Sequence, residues 1–211
     1  MAKESSHLDP RLARNYGEKT SDDFRAVYRE WADTYDGDLI DEFGYLAPQA
    51  AVECLKTHLP SLNAPILDMG CGTGLVGKLL FDSGYPIIDG LDLSLEMLEK
   101  ARELGVYRSL GEADLTEKLT LEPIYQAVIC VGVFSHQPSQ PFDLAQLFSA
   151  LTPDGVLIAT VNGKGWKEID WAALLVQSAE KNGFRIESVS DIPYLTRQNI
   201  PGKLLTLRPS A

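Results

Sequence analysis

The sequence predicts a doubly wound α/β fold, in which helices cover both faces of a mostly parallel, seven-stranded sheet. Three observations predict this fold. From Pro65 onward, short β-rich apolar runs alternate with helical patterns, as they do in βαβ units. A glycine-rich turn joins the first of these runs directly to a helical pattern. The chain has 211 residues, 45% of them hydrophobic, which is enough for one sizeable core but not for two full domains.

The segment before the sheet divides into an arm and a helical cap. Residues 1–20 are polar and without period, so we expect a flexible N-terminal arm. A helix capped by Ser21 follows. Its apolar residues recur at spacings of three and four on one face: Phe24, Val27, Tyr28, Trp31 and Tyr35. A second helix is predicted over residues 47–58. We assign residues 21–60 to the N-terminal helical cap of a single domain, residues 21–211.

Seven strands and four helices are predicted in the rest of the chain. The strands are expected near residues 66–68, 87–91, 106–110, 127–134, 156–161, 184–189 and 204–207. The helices are expected near residues 75–83, 95–104, 142–151 and 169–181, and Gly183 is expected to close the last of them.

The composition limits the class of protein. The chain has 19 Lys and Arg residues and 30 Asp and Glu residues, a formal net charge of −11, which argues against a general nucleic-acid-binding surface. Its cysteines, Cys54, Cys71 and Cys130, form no Cys-x-x-Cys pair, so we expect neither a disulfide framework nor a metal site. No apolar run resembles a signal peptide or approaches the roughly 18 residues of a membrane helix. We expect a soluble, cytoplasmic protein.

The most informative stretch is the turn after the first strand, within residues 66–77. Gly70, Gly72 and Gly74 lack Cβ atoms, so they can adopt positive φ angles and let a ligand lie against the backbone, facing the amides of the next helix. A nucleotide-type cofactor is the natural ligand of such a turn. The alternative is a tight strand-to-helix connection without a ligand, although three glycines in five residues exceed what packing requires.

Two cofactors compete for this turn, because residues 72–77 also satisfy the Gly-x-Gly-x-x-Gly pattern of nicotinamide dinucleotide sites. If Gly72 were the first glycine of the pattern, the strand would extend through Met69 and bury Asp68 within the sheet, where an unpaired carboxylate is costly. If Gly70 is the first glycine, Asp68 lies at the carboxyl end of the strand and its charge faces the cofactor. That register favours a cationic cofactor.

Residues 68–74, Asp-Met-Gly-Cys-Gly-Thr-Gly, resemble the first motif of the class I S-adenosylmethionine (SAM)-dependent methyltransferases, which have a Rossmann-like fold. Residues 90–94, Gly-Leu-Asp-Leu-Ser, resemble the end of that family's second strand, whose acidic residue holds the ribose hydroxyls. Asp92 would take this role, and a carboxylate suits it because it accepts two hydrogen bonds from a cis-diol at once. The resemblance covers residues 65–163, implies that they form a SAM-binding core, and implies SAM as cofactor and S-adenosylhomocysteine (SAH) as product.

The resemblance also implies the remaining cofactor contacts. Asp114, in the acidic loop after the third strand, would accept a hydrogen bond from the adenine amino group, and Leu93 and Leu115 would flank the base. The other implied cofactor-binding residues are Asp68, Gly70, Cys71, Gly72, Gly74, Met97, Ala113, Cys130 and Val131. For each acidic residue, the alternative is a loop carboxylate in solvent or a helix cap.

The aromatic face of the first helix has two interpretations. Residues 31–36, Trp-Ala-Asp-Thr-Tyr-Asp, resemble the segment of many small-molecule methyltransferases that covers the methionine end of the cofactor. This implies cofactor contacts for Tyr28 and Tyr35, whose rings can also attract a sulfonium. Ordinary amphipathic packing explains the same spacing. Within the superfamily, this segment and residues 130–136 resemble the Williams–Beuren-region methyltransferase-like group.

His136 is the candidate general base. It follows the fourth predicted strand, near the edge of the sheet where ligands bind, and the ordinary pKa of histidine lies near neutrality. The alternative is a loop histidine that caps, packs or faces water. Methyl transfer is an in-line displacement that chiefly needs alignment and the exclusion of water, so only an acceptor that must lose a proton benefits from this base.

These observations predict a methyltransferase that acts on a small molecule and has no nucleic-acid or membrane partner. The fourth strand lacks the Asp/Asn-Pro-Pro-aromatic element with which nucleic-acid amino-methyltransferases grip a flipped base. One alternative is a non-catalytic SAM-binding module. The other is a nicotinamide-dependent oxidoreductase, although no Tyr-x-x-x-Lys pair occurs in the chain. No motif specifies the acceptor or the oligomeric state.

Overall fold

A computed structural model of the chain describes residues 9–14, 20–135 and 144–210. The strands are β1 (Ile66–Met69), β2 (Ile88–Asp92), β3 (Ser109–Glu112), β4 (Tyr125–Cys130), β5 (Leu151–Asn162), β6 (Phe184–Leu195) and β7 (Ile200–Pro209). They form one sheet of order β3-β2-β1-β4-β5-β7-β6. Strands β1 to β5 are parallel, whereas β7 runs antiparallel to β5 and β6. This sheet confirms the predicted fold class.

The helices begin and end largely where local signals place them. They are α1 (Pro10–Ala13), α2 (Ser21–Trp31), α3 (Tyr35–Gly37), α4 (Ala47–His58), α5 (Leu75–Asp82), α6 (Leu95–Glu103), α7 (Leu144–Ser149), α8 (Gly163–Glu168) and α9 (Trp171–Asn182), and a π-helical turn, Asp38–Glu42, follows α3. Ser94 caps α6, because its hydroxyl accepts a hydrogen bond from the Met97 amide at 3.3 Å. Gly183 closes α9 in a left-handed conformation, as predicted.

Successive residues of the central strands face opposite cores. Ile66 packs with Leu55 of α4 and Leu80 of α5 on one face of the sheet, whereas Leu67 packs with Trp171 of α9 on the other. Both β1 side chains are buried, as expected of a parallel strand covered on both faces. The faces are therefore closed by helices, and the carboxyl edge of the sheet is the place for a site.

The N-terminal segment differs from the predicted arm where the structure describes it. Residues 9–14 contain α1, whose Leu12 is buried in the core, and Arg11 forms an ion pair with Asp38 at 2.6 Å. The arm prediction is therefore wrong for these residues, because one buried leucine and one paired arginine produce no periodic pattern. The other residues of the predicted arm, 1–8 and 15–19, lie outside the described part of the chain.

Several element boundaries differ from the predictions: β3 begins at Ser109 rather than near residue 106, β4 ends at Cys130 rather than near residue 134, and β5, β6 and β7 are longer than expected. The cap of α2 is Thr20 rather than Ser21, because Thr20 and Asp23 form a reciprocal capping box. The helix predicted near residues 142–151 corresponds to α7, but Leu151 already belongs to β5. Helix α8 has no predicted counterpart, since its two glycines are poor helix formers. Within the described ranges, none of the helices is long and apolar enough to cross a membrane.

The C-terminal hairpin of β6 and β7 holds the segment that precedes α4. The Leu46 amide donates a hydrogen bond to the Tyr194 carbonyl at 2.9 Å, and Tyr45 pairs with Leu195 in an isolated antiparallel bridge. The N-terminal cap and the C-terminal hairpin are therefore bonded to each other.

Candidate active site

A cavity opens at the carboxyl edge of the sheet, where β1 and β4 are neighbours and the strand order reverses. Ligands of doubly wound sheets bind at such a switch point. The cavity encloses about 850 Å³ of space including its open mouth. It is lined by Ser21, Phe24, Tyr28, Tyr35, Met69, Gly70, Gly72, Leu91, Asp92, Leu93, Met97, Ala113, Asp114, Leu115, Thr116, Val131, Gly132 and Val133.

The glycine turn has the backbone conformation that the sequence predicts. Gly70, Gly72 and Gly74 have φ angles of 74°, 54° and 97°, which favour glycine over any other residue. A Cβ on Gly70 would lie 2.2 Å from a methyl carbon of Val133, so this position has no room for a side chain. Gly70 and Gly72 line the cavity, whereas Gly74 does not and is instead the N-cap residue of α5.

Asp92, the last residue of β2, also lines the cavity. Its Oδ2 accepts a hydrogen bond from the Gly72 amide at 2.8 Å, and its Oδ1 accepts one from the Ser94 amide at 2.9 Å. Burial raises the pKa of Asp92, and these amides offset part of the effect. The carboxylate therefore ties the glycine turn to the end of β2, at the position where the sequence predicts a ribose-binding acid.

Asp114 lines the cavity in the loop after β3, together with Leu93 and Leu115, the pair expected to flank a base. Its Oδ1 accepts hydrogen bonds from the amide and the hydroxyl of Thr116, at 2.9 and 2.7 Å. Burial raises the pKa of Asp114, but hydrogen bonds from Ser21 and Thr116 outweigh it and hold the pKa below its ordinary value. The carboxylate is an ionised acceptor, although the bonds to Thr116 are also those of a local turn.

Asp68 does not line the cavity, so the prediction that its charge faces the cofactor is wrong. The side chain is fully buried, and Oδ2 accepts a hydrogen bond from the Tyr107 hydroxyl at 2.7 Å. Because β1 extends through Met69, Asp68 lies within the strand, and the register argument against a nicotinamide cofactor fails. A donor distant in sequence makes this burial possible. Cys71 and Cys130 are likewise buried and do not line the cavity.

The predicted aromatic face is divided between the cavity and the core, and it spans two helices, because α2 ends at Trp31 and Tyr35 begins α3. Tyr28 and Tyr35, the pair expected to contact the cofactor, line the cavity, and their rings meet edge to face with centroids 6.2 Å apart. Phe24 lines it as well. Trp31 does not, because its indole nitrogen donates a hydrogen bond to the buried Asp38 at 2.6 Å. Trp31 therefore serves packing alone, whereas Phe24 and Tyr35 both pack against the core and line the cavity, so cofactor contact by Tyr28 and Tyr35 stays a prediction.

A hydrogen bond joins the helical cap to the glycine turn. The Thr73 hydroxyl donates to Oδ1 of Asp36 at 2.5 Å, and Thr73 is itself buried. Burial raises the pKa of Asp36, and the bond from Thr73 offsets part of this. The segment that carries Tyr35 is thus held against the turn that lines the cavity.

Two tyrosines without any motif signal lie at the end of β4. The rings of Tyr45 and Tyr194 are 5.3 Å apart and their hydroxyls are hydrogen-bonded, while a Cβ on Gly132 would lie 2.8 Å from the Tyr45 hydroxyl. Burial raises the pKa of Tyr45 well above its ordinary value, so the phenol stays neutral. No local pattern predicts a pair separated by most of the chain. Tyr45 and Tyr194 are not among the residues that line the cavity, and the lining residues that were not predicted as cofactor contacts are Ser21, Phe24, Met69, Leu91, Thr116, Gly132 and Val133.

The candidate base, His136, lies outside the described residues. Among the residues that the structure does describe, no group of His, Cys, Asp and Glu side chains could hold a metal ion. The described cavity offers carboxylates, phenols, the hydroxyls of Ser21 and Thr116, apolar side chains and bare backbone.

The strand order, the glycine turn and the acid at the end of β2 define a class of protein, the doubly wound domains that hold a nucleotide-type cofactor at the switch point. Residues 23–198 match the model of a family described as "Methyltransferase domain". The chain belongs to this family, within the class I SAM-dependent methyltransferases.

Similar curated proteins carry methyltransferase names. The chain is 39% identical over 112 residues to methyltransferase-like protein 27 of Homo sapiens, a match that covers 51% of this chain and 45% of the relative. It is 29% identical over 147 residues to trans-aconitate 2-methyltransferase of Pseudomonas aeruginosa, covering 67% of this chain and 51% of the relative. The chain spans about half the length of the curated relatives it matches.

Solved structures share the fold. A TehB-like SAM-dependent methyltransferase from Corynebacterium glutamicum has a TM-score of 0.66 at 20% identity and covers 88% of this chain and 99% of its own. Magnesium protoporphyrin IX methyltransferase from Synechocystis, solved with bound SAH, has a TM-score of 0.64 at 21% identity, with coverages of 89% and 97%. A 4+2 cyclase has a TM-score of 0.60 at 17% identity, with coverages of 76% and 80%. At these identities the similarity shows the fold alone.

Proposed function

We propose that this chain is a SAM-dependent methyltransferase that transfers a methyl group to a small-molecule acceptor. One observation carries the proposal: the bare glycine turn and Asp92 share a cavity at the switch point, in a chain that belongs to a methyltransferase family. The residues present fit SAM, because a carboxylate, apolar side chains and exposed backbone line the same cavity. The position of Asp68 within β1 no longer excludes a nicotinamide dinucleotide. The family match nevertheless supports SAM over that cofactor.

Each part of the cofactor has a proposed partner. Asp92 accepts hydrogen bonds from the ribose hydroxyls, and Asp114 accepts one from the adenine amino group. Leu93 and Leu115 flank the base, which needs only apolar surface. The bound cofactor supplies a methyl group on a positively charged sulfur, and the chain aligns that group with an acceptor.

Tyr28 and Tyr35 are proposed to cover the methionine end of the cofactor and to exclude water. Burial raises the pKa of both phenols above their ordinary value, so they remain neutral and cannot serve as bases. An acceptor that must lose a proton therefore needs another group, and we propose His136 for that task.

The charges of the cavity favour particular acceptors. Among the described lining residues, the charged side chains are the carboxylates of Asp92 and Asp114. Carboxylates repel an anionic acceptor and attract a cationic one. We therefore propose a neutral or cationic acceptor, such as an alcohol, a phenol or an amine.

Two experiments test the proposal. Calorimetric titration with SAM, SAH and NAD should show binding of the first two, and tighter binding of NAD would overturn the choice of cofactor. Transfer of labelled methyl is then measured with amines, alcohols and carboxylates that share one carbon skeleton. Transfer confined to the carboxylates would contradict the proposed acceptor class.

A SAM-binding role without methyl transfer is the second candidate. The fold alone does not fix the reaction, since a 4+2 cyclase has a similar fold. This candidate predicts that SAM and SAH bind while no acceptor in the panel becomes labelled.

A further inference from the structure

Asp68 and Tyr107 form a buried pair next to the glycine turn. The Tyr107 hydroxyl donates a hydrogen bond to Oδ2 of Asp68 at 2.7 Å, and Asp68 has no exposed surface. Asp68 belongs to β1, which leads into the turn, whereas Tyr107 belongs to the loop that precedes β3. Since β3 is two strands away from β1 in the sheet, the bond connects the turn to a distant part of the fold.

Two glycines leave room for the Tyr107 ring. A Cβ on Gly77, in the first turn of α5, would lie 2.2 Å from the ring carbon that bears the hydroxyl, and a Cβ on Gly90 of β2 would lie 3.0 Å from another ring carbon. Neither glycine has a positive φ, so the backbone itself does not require glycine at these positions. The missing side chain of Gly77 leaves room for the tyrosine ring, and that of Gly90 leaves room for the ring and for Leu110, whose methyl carbon would lie 2.7 Å from a Cβ there. This packing also explains Gly77, the last glycine of the nicotinamide-type pattern, without a bound phosphate.

The surroundings of the pair disfavour a charge on the carboxyl group. Burial, reinforced by the charge of Asp92, raises the pKa of Asp68 to about 7, even though the Tyr107 bond and a neighbouring amide in the first turn of α5 lower it. The thiols of Cys71 and Cys130 also lie nearby, and they are neutral because burial raises the pKa of each. The Tyr107 hydroxyl is therefore a principal group that stabilises the ionised form of Asp68.

We propose that Tyr107 is a positioning residue for the cofactor. By holding the Asp68 carboxylate, Tyr107 fixes the end of β1 and the first turn of α5. The glycine turn lies between these two elements and is therefore fixed as well. The inference rests on the proposed function, since it takes the turn to be the place where SAM binds. An ionised Asp68 also suits the positive N-terminal end of α5. Asp68 then acts on the cofactor through the backbone of the turn rather than by touching it.

A matched pair of variants tests this role. Tyr107→Phe removes one hydroxyl from a buried aspartate, and Tyr125→Phe makes the same change elsewhere, because the Tyr125 hydroxyl donates to Asp89 at 2.9 Å. Asp89 keeps its bonds to Arg108 and Ser109. In calorimetric titration with SAH at pH 7, Tyr107→Phe should bind about tenfold more weakly than the wild type, since a hydrogen bond to a charged group is lost. Tyr125→Phe should bind like the wild type.

The pH profile separates positioning from a general loss of stability. SAH affinity should rise as Asp68 ionises, and because the Tyr107 bond lowers the pKa of Asp68, the Tyr107→Phe profile should move to higher pH. Asp92 is present in both proteins, so its titration is common to both profiles. Asp68→Asn cannot ionise and should lose the transition near pH 7, which provides a test even if Tyr107→Phe does not fold.

Three results would overturn the inference. They are an unchanged affinity and profile in Tyr107→Phe, an equal loss of affinity in Tyr125→Phe, and a transition near pH 7 that persists in Asp68→Asn. If the wild-type chain binds no SAH at any pH, the proposed function fails and the inference fails with it. That outcome is distinguishable, because it is seen before any variant is made.

Discussion

Replacing Asp68 by asparagine measures how strongly burial opposes the charge of this side chain. The pKa of Asp68 is about 7 in the folded chain and 3.8 in its ordinary state. The folded state therefore binds the proton more tightly than the unfolded state, so the stability of the wild type falls as the pH rises from about 4 to about 7. Ionisation of Asp68 lowers the free energy of unfolding by about 4 kcal/mol in total, and about 3 kcal/mol of this decrease occurs between pH 5 and pH 8. Asp68→Asn has no such loss.

Urea denaturation of both proteins at pH 5 and pH 8 provides the test. The free energy of unfolding of Asp68→Asn, relative to the wild type, should rise by about 3 kcal/mol from pH 5 to pH 8. If this difference does not change with pH, the reasoning from burial is refuted.

Asp89 of β2 is the matched control, because it is another buried strand aspartate. Burial raises the pKa of Asp89, but hydrogen bonds from Arg108, Ser109 and Tyr125 outweigh it and leave the pKa below its ordinary value. A lowered pKa gives stability that is present above the unfolded pKa and is lost only as the pH falls through the folded one. The free energy of unfolding of Asp89→Asn should therefore lie below that of the wild type by the same amount at pH 5 and at pH 8.

Three further changes test the cofactor site and its support. Asp92→Ala should weaken SAM and SAH binding about tenfold or more in calorimetry, because a charged acceptor is lost; unchanged affinity would remove Asp92 from the site. Gly70→Ala should abolish SAH binding, since its Cβ has no room. Gly105→Ala is the control, because Gly105 also has a positive φ but has open space around its Cβ. Its free energy of unfolding in urea should fall by only about 1 kcal/mol. Equal losses of SAH binding in the two variants would contradict this reasoning. Thr73→Val should have a free energy of unfolding about 1 kcal/mol lower than the wild type and faster amide exchange in α3, because the bond to Asp36 disappears. Thr73→Ser keeps a hydroxyl, so its unfolding free energy and its amide exchange should stay near wild-type values.

The sheet and the cofactor edge could be predicted because their signals are local. Residues 68–74 and 90–94 each contain a strand end and the loop that follows it, so the positions of the glycine turn and of Asp92 follow from adjacent residues. The same holds for α4, which prolines mark near its start and just beyond its end.

The surroundings of Asp68 could not be predicted in this way. Its partner Tyr107, in the loop before β3, reaches it across β2, and the space for the ring comes from Gly77 and Gly90, which belong to α5 and β2. The pairing of Tyr45 with Tyr194 likewise depends on the docking of the C-terminal hairpin. Such contacts exist only after the sheet has assembled, so no short stretch of sequence records them.

The bonding between the two ends of the domain has a consequence for engineering. A chimera that takes residues 21–60 from a relative, to change the acceptor, would lose the side-chain match of Tyr45 to Tyr194 and the close approach of Gly44 to Thr196. The incoming cap would then lack its own hairpin partner. Swapped specificity thus requires exchanging β6 and β7 in the same step, while residues 65–163 stay as they are.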